Sequence, residues 1–120
     1  MTQTRVDAFL PLTPPMLHTL VALADGDKHG YAILKEIARR TDGTVRLGAG
    51  TLYALIRRAA ADGLIAESGE RPDIALDDER RRYYRLTPLG RRVAAAEIER
   101  LESIVEMARQ KKLVPRPRLT

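Results

Sequence analysis

The sequence predicts a mainly α-helical protein with a small β-wing and a long C-terminal helix. Three stretches in which apolar residues recur at helical spacing come first, and two short stretches with strand-like patterns follow them. The final stretch of helical spacing is the longest. Three helices, two strands and a closing helix in this order indicate a winged helix-turn-helix to which a long C-terminal helix is added.

The composition narrows the classes of function. The chain has 120 residues, which suffices for one compact core. Its net charge of +5 favours a polyanionic partner, although other classes of basic protein share that balance. The absence of cysteine excludes disulfides, thiolate metal sites and cysteine nucleophiles. Because the sequence shows neither a signal peptide nor an apolar run of about 18 residues, we expect a soluble, cytoplasmic protein without membrane contact.

The first predicted helix runs from about Pro14 to Ala24. Thr13 is placed to cap it, and prolines fill its first turn. Its apolar residues fall on two faces, and Met16 and Leu23 lie on the smaller one. Either a second subunit covers Met16 and Leu23, or the helix is fully buried in its own domain.

The second predicted helix follows Gly30 and ends near Asp42 and Gly43, where glycine suits the backbone of a helix C-terminus. Its predicted apolar seam consists of Ile33, Leu34, Ile37 and Ala38. The opposite side carries a solvent-facing, basic stripe, formed by Tyr31, Lys35 and Arg39.

The third predicted helix covers about Ala49 to Asp62, and Gly63 ends it. The residues predicted to point inward are Leu52, Leu55, Ile56 and Ala59. The outward or edge positions are Thr51, Tyr53, Ala54, Arg57 and Arg58.

Two strands, Leu64 to Ser68 and Arg80 to Thr87, are predicted to form the wing. Alternation along the second strand places Tyr83 and Tyr84 on opposite faces, so we expect one of these tyrosines in the core. Acidic residues at 77–79 directly precede its arginines. This arrangement indicates local charge compensation and not a metal site.

The last predicted helix runs from Pro88 to about Lys112, with Thr87 as its cap. Its apolar residues form a heptad seam, which consists of Ala94, Ile98, Leu101, Val105 and Ala108. Since so short a seam is not stable alone, it favours pairing with a second subunit; the alternative is a helix that folds back on its own domain. We therefore divide the chain into a winged helix-turn-helix domain at 1–87 and a dimerisation helix with a basic tail at 88–120.

The third predicted helix suits the major groove of double-stranded DNA, because it exposes hydroxyl-bearing and basic side chains. The small residues at 48–50 allow its first turn, Gly50 included, to approach a phosphate closely. A merely solvated face is the alternative for each residue taken singly, and the order of elements favours DNA. The side chains predicted to contact DNA are Lys35, Thr51, Tyr53, Ala54, Arg57 and Arg58, with Arg80, Arg81 and Arg82 on the wing.

No constellation supports catalysis. The histidines are His18 and His29 and the serines are Ser68 and Ser103, and their spacing matches neither a catalytic triad nor a metal-ligand set. We therefore predict neither an enzyme nor a bound metal or cofactor. His29 either contacts a phosphate or caps the second helix, and the cap is the simpler interpretation.

Several motifs together resemble the PadR family of bacterial transcriptional regulators. They are Leu12-Thr13-Pro14, His29-Gly30-Tyr31, Gly50-Thr51-Leu52-Tyr53, Asp62-Gly63-Leu64-Ile65, Arg82-Tyr83-Tyr84-Arg85-Leu86-Thr87 and Gly90. The single C-terminal helix is similar to that of the compact subfamily. The resemblance implies a homodimer held by its first and last helices, with Met16 and Leu23 as candidates on the first. It also implies a repressor on a palindromic operator, released by a small-molecule effector or another signal.

The resemblance also implies DNA-facing positions at Gly30, Tyr31, Gly50, Thr51 and Tyr53. The chain departs from the family at 49 and 54, where it has alanine and the family often has proline. A second hypothesis is a winged-helix protein-interaction or architectural module with only non-specific DNA affinity, and a steep salt dependence without sequence preference would distinguish it.

Overall fold

The computed structural model describes residues 2–68 and 82–117. Its helices are α1 (Thr2–Asp7), α2 (Pro14–Ala22), α3 (Gly30–Arg40), α4 (Ala49–Ala61) and α5 (Pro88–Gln110). Its strands are β1 (Lys28–His29), β2 (Ile65–Glu67) and β3 (Tyr83–Leu86). The predicted fold class, mainly helical with a small wing and a long final helix, is confirmed.

Local signals in the sequence set the ends of the helices. The Thr13 hydroxyl accepts the Met16 N–H at the start of α2, and the Thr87 hydroxyl accepts the Gly90 N–H at the start of α5. Beyond the end of α3, Gly43 has φ +78° and its N–H donates to the Ala38 carbonyl.

The wing sheet has three strands in the order β1-β3-β2, all antiparallel. Ile65 pairs with Leu86 in the β2–β3 ladder, and Lys28 pairs with Tyr84 in the β1–β3 ladder. The sequence did not predict β1, because a two-residue strand is too short to show alternation. The predicted start of the outer strand at Arg80 and Arg81 lies outside the described residues.

One core joins α2, α3 and α4 with the wing and the first half of α5. Its fully buried side chains include Leu20, Ile33, Leu52, Leu64 and Val93. Of the two adjacent tyrosines, Tyr84 is buried, as alternation predicts, and Tyr83 is half-buried. The domain boundary at Thr87 stays a prediction, although the first half of α5 packs in the same core as the winged helix-turn-helix.

Three residues predicted for dimerisation need correction, because their side chains lie in the core of the protomer. Met16 and Leu23 of α2 are buried there, and so is Ala94 of α5. The partly open face of α2 is the other one, which contains Val21. The apolar pattern of a short helix shows two faces but not which of them its own domain covers.

The N-terminal segment is a further element that the sequence analysis did not predict. Val6 of α1 is buried, and α1 packs against α5. The Leu12 N–H donates to the Glu97 carboxylate (3.2 Å), which is only 2% exposed. Arg100 donates two further hydrogen bonds to Glu97, at 2.7 and 3.0 Å. These bonds, that of Arg100 first, hold the pKa of Glu97 below its usual range against the effect of burial.

Gly90 allows α5 to approach the backbone of the wing. A Cβ atom at this position would lie 2.0 Å from the Leu64 carbonyl oxygen. Gly50, also in the first turn of a helix, has open space around it. We therefore predict that Gly90→Ala lowers the free energy of unfolding by about 2–4 kcal/mol.

The matched control, Gly50→Ala, should raise the free energy of unfolding by up to about 1 kcal/mol, since alanine favours helix. Chemical denaturation of both variants measures the difference. Equal stability of the two variants would contradict the close docking of α5.

Candidate nucleic-acid interface

The helix-turn-helix pair is formed by α3 and α4, which meet at Gly30 and Tyr53. The ring of Tyr53 lies over the backbone at the start of α3, so that a Cβ on Gly30 would be 2.7 Å from the Tyr53 hydroxyl oxygen. Tyr53 is half-buried and packs against the core. It therefore sets the spacing between the two helices besides standing at the edge of the outer face.

The outer face of α4 is open to solvent. Thr51, Ala54, Arg57 and Arg58 are exposed, while Leu52, Ile56 and Ala59 hold the opposite face in the core. Arg58 Nε lies 4.0 Å from a carboxylate oxygen of Asp62, one turn further along. At the N-terminus, Gly48 forms the cap without a side-chain hydrogen bond, and Gly50 is exposed. The outer face of α4 therefore combines exposed arginines with a helix N-terminus whose backbone is open to solvent.

The basic stripe of α3 lies on the surface as predicted. Tyr31 is 59% exposed, and Lys35 places its ammonium group 5.3 Å from the centre of the Tyr31 ring. Arg39 continues the stripe and is exposed. The contact with the aromatic face restricts Lys35 and keeps its charge on the outside of the helix.

His29 is confirmed as the cap of α3. Its Nδ1 accepts the Ala32 N–H at 3.1 Å, and its ring meets the ring of Tyr83 edge-on, with centroids 5.3 Å apart. The histidine thus connects the start of α3 to β3 of the wing.

The wing carries exposed basic side chains. Arg82 is exposed, and its Nε lies 3.8 Å from Glu67 Oε1 on β2. Arg85 is also exposed, while Tyr84 between them faces the core. Arg80 and Arg81, predicted to contact DNA, fall outside the described residues.

A second surface lies on the distal half of α5. Ile98, Leu101, Ile104 and Val105 are 38–45% exposed, and Ala108 is half-buried. Helical geometry places these residues in one stripe, which we call the α5 stripe. Ile104 is not among the residues predicted from the sequence, because the heptad spacing selects its neighbours in the same stripe.

The amino-acid sequence from residue 19 to 96 matches the family model described as "Transcriptional regulator PadR-like family". The chain belongs to this family. Over 94 residues, it is 38% identical to the transcriptional regulator Rv3488 of Mycobacterium tuberculosis, covering 78% of each protein. PadR-like regulators are DNA-binding winged-helix proteins and not enzymes.

Solved structures of other regulators have the same fold. A transcriptional regulator from Clostridium thermocellum is similar with a TM-score of 0.67 and 28% identity, over 80% of this chain and 87% of that one. Bacillus subtilis PadR in complex with operator DNA is similar with a TM-score of 0.60 and 14% identity, over 92% of this chain and 52% of that one. At that identity the second likeness concerns the fold alone.

Metal sites and membrane-spanning helices can be checked in the described part of this PadR-like regulator. The described ranges contain no group of three or more His, Asp or Glu residues that could hold a metal ion. Among the helices described, none is both long and apolar enough to cross a membrane.

The Tyr53–Gly30 contact predicts coupling between two substitutions. Gly30→Ala should lower the free energy of unfolding because its new methyl group displaces the tyrosine ring, and Tyr53→Ala should lower it by about 1–3 kcal/mol through lost packing. In the double variant the methyl group occupies the vacated space. We therefore expect the double variant to be at least about 0.5 kcal/mol more stable than the sum of the single effects.

Chemical denaturation of the unaltered protein, the two single variants and the double variant measures this double-mutant cycle. Additive effects would show that Tyr53 does not set the spacing of α3 and α4.

Proposed function

We propose that this PadR-like regulator is a homodimeric repressor that binds a palindromic operator in double-stranded DNA. The observation that carries the proposal is the presence of two separate open surfaces on one packed core. The outer face of α4 and the α3 stripe are basic, and the α5 stripe is apolar. The basic surface suits a polyanion, and the apolar α5 stripe suits the same stripe on a second copy of the protein.

In this proposal α4 enters the major groove. Thr51 can hydrogen-bond to a base edge, and Ala54 can contact a thymine methyl group. Arg57 and Arg58 reach guanine or phosphate, and the exposure of both supports this role. Gly50 lets the backbone at the start of α4 approach a DNA phosphate. Tyr53 holds α4 against Gly30 at the edge of the same surface.

The DNA backbone on either side of this groove is contacted by α3 and by the wing. Tyr31 and Lys35 extend from α3, where their mutual contact limits the side-chain freedom lost on binding. Arg82 of the wing reaches the neighbouring phosphates or minor groove, and the same role is proposed for Arg80 and Arg81, which lie outside the described residues. For Arg82, leaving Glu67 is a small cost, since exposed ion pairs are weak.

The dimer forms through the α5 stripe. Ile98, Leu101, Val105 and Ala108 continue the heptad seam that Ala94 begins in the core, and Ile104 widens it. Pairing with a second copy removes this apolar area from water. The two copies of α4 then enter successive major grooves, about 34–36 Å apart on one side of the duplex.

A dimer bound over a promoter excludes RNA polymerase from it, which accounts for repression. We place this activity in the cytoplasm. Release by a small molecule or another signal is the part of the proposal that rests on family resemblance. The α5 stripe supports it as well, because any ligand that altered the pairing of two α5 helices would change the spacing of the two copies of α4.

The deciding experiment is a titration of the purified protein against DNA from its own upstream region and against a scrambled control, at two salt concentrations. We expect a preference of at least about a hundredfold for the upstream region, as specific binders show. Equal affinities that fall together with salt would contradict the proposal and support the architectural or protein-interaction alternative.

The dimer is tested by Leu101→Asp, which places a charge in the α5 stripe. We expect a monomer with at least about tenfold lower affinity for the upstream DNA, because a buried unpaired carboxylate is costly and the second half-site contact is lost. Sedimentation measures the mass. Ser103→Asp is the matched control, since Ser103 is exposed on the opposite side of α5 and should leave the dimer intact. An unchanged mass of the Leu101 variant would contradict the proposed interface.

A further inference from the structure

Arg46 is an exposed basic residue of the helix-turn-helix to which the sequence analysis assigned no role. It lies in the turn between α3 and α4, two residues before the Gly48 cap. Its neighbours Val45 and Leu47 are half-buried and pack against the core. Because the turn is anchored on both sides of Arg46, the arginine backbone is fixed relative to α4.

Hydrogen bonds within the turn add to this fixation. The Thr41 hydroxyl accepts the Val45 N–H at 3.1 Å, and the Thr44 hydroxyl donates to the Thr41 carbonyl at 2.7 Å. The Gly43 N–H donates to the Ala38 carbonyl at 2.7 Å. The turn is therefore an ordered part of the motif that ties the end of α3 to the start of α4.

The guanidinium of Arg46 is seated over Gly43. The position that a Cβ atom would take at Gly43 lies 3.0 Å from Arg46 Nη2 and 3.4 Å from Nε. Glycine is favoured here by its φ of +78°, and its missing side chain leaves room for the guanidinium to lie close above it. The side chain is thus placed by contact with the turn as well as by its own backbone.

Arg46 also differs from Arg40, Arg58 and Arg82 in its ion pairing. Arg58 and Arg82 each lie within 4.0 Å of a carboxylate, and Arg40 lies 3.6 Å from Glu36. In residues 2–68 and 82–117, no carboxylate forms an ion pair with Arg46. An anion would therefore meet an arginine that is already oriented and has no competing partner among these residues.

We propose that Arg46 contacts a DNA phosphate beside the groove that α4 enters. The inference rests on the proposed DNA-binding function and adds an affinity-determining residue to it. A recognition helix contacts bases with its N-terminal residues, so the strand that flanks the groove passes close to the turn just before it. Guanidinium matches the geometry of phosphate, and its placement over Gly43 lowers the entropy lost on binding.

The test compares Arg46→Ala, Arg46→Lys and Arg92→Ala with the unaltered protein, on upstream and scrambled DNA over a series of salt concentrations. Arg92→Ala is the matched control, because it removes the same charge from an exposed position on α5. For Arg46→Ala we expect affinity for both DNAs to fall by about five- to tenfold per protomer at about 0.1 M salt. The slope of log affinity against log salt should decrease by about 0.9 for each lost contact.

Arg46→Lys should keep the slope, and Arg92→Ala should keep both slope and affinity. Denaturation midpoints confirm that the variants are folded. An unchanged slope for Arg46→Ala would overturn the inference, and so would a loss confined to upstream DNA, since that indicates a base contact. If the unaltered protein shows no preference for upstream DNA, the proposed repressor function fails, while the slopes on scrambled DNA still decide the role of Arg46.

Discussion

The docking of α5 on the start of β2 is the interaction on which the arrangement of the two surfaces depends. The Thr87 hydroxyl donates to the carbonyls of Gly63 (2.6 Å) and Leu64 (2.9 Å) and accepts the Gly90 N–H. The absent side chain of Gly90 lets the helix approach that backbone. Since α4 ends two residues before Gly63, α4 and α5 are joined through the same peptide groups. In the proposed function these are the helix that contacts DNA and the helix that contacts the second subunit.

The division of α5 into a core half and a surface half follows from geometry. Leu89, Val93 and Ala94 are buried because α2, α1 and the wing cover the first turns. Past Glu97, where the body of the domain ends, the described protomer leaves the α5 stripe only partly covered. Glu97, held by Leu12 and Arg100, stands at this transition. In the proposed dimer, a change in how two α5 helices pair would therefore reach α4 through the packed core.

The sequence predicted the elements that local signals define. Thr13, Thr87 and Gly43 mark helix ends because their chemistry acts within a few residues. The inner faces of α3 and α4 followed from helical periodicity alone. β1 and α1 were not predicted because two and six residues are too few to show a clear pattern. The Glu97 bond to Leu12 was not predicted because a contact between distant segments carries no local signal. The same limit explains the errors at Met16, Leu23 and Ala94: an apolar stripe is visible in sequence, but what covers it is a property of the packed fold.

For the candidate interface, the sequence predicted residue types and missed their mutual arrangement. The exposure of Tyr31, Lys35 and Arg57 follows from the stripe pattern. The seating of Tyr53 on Gly30 and of Arg46 on Gly43 depends on how a turn and two helices meet in space, and only the structure shows it.

Hydroxyl-radical footprinting of the upstream DNA tests the central claim most directly. A dimer joined through α5 should protect two segments on one face of the duplex, separated by about one helical turn and related by two-fold symmetry. Protection of a single segment, or uniform protection along the fragment, would contradict the account.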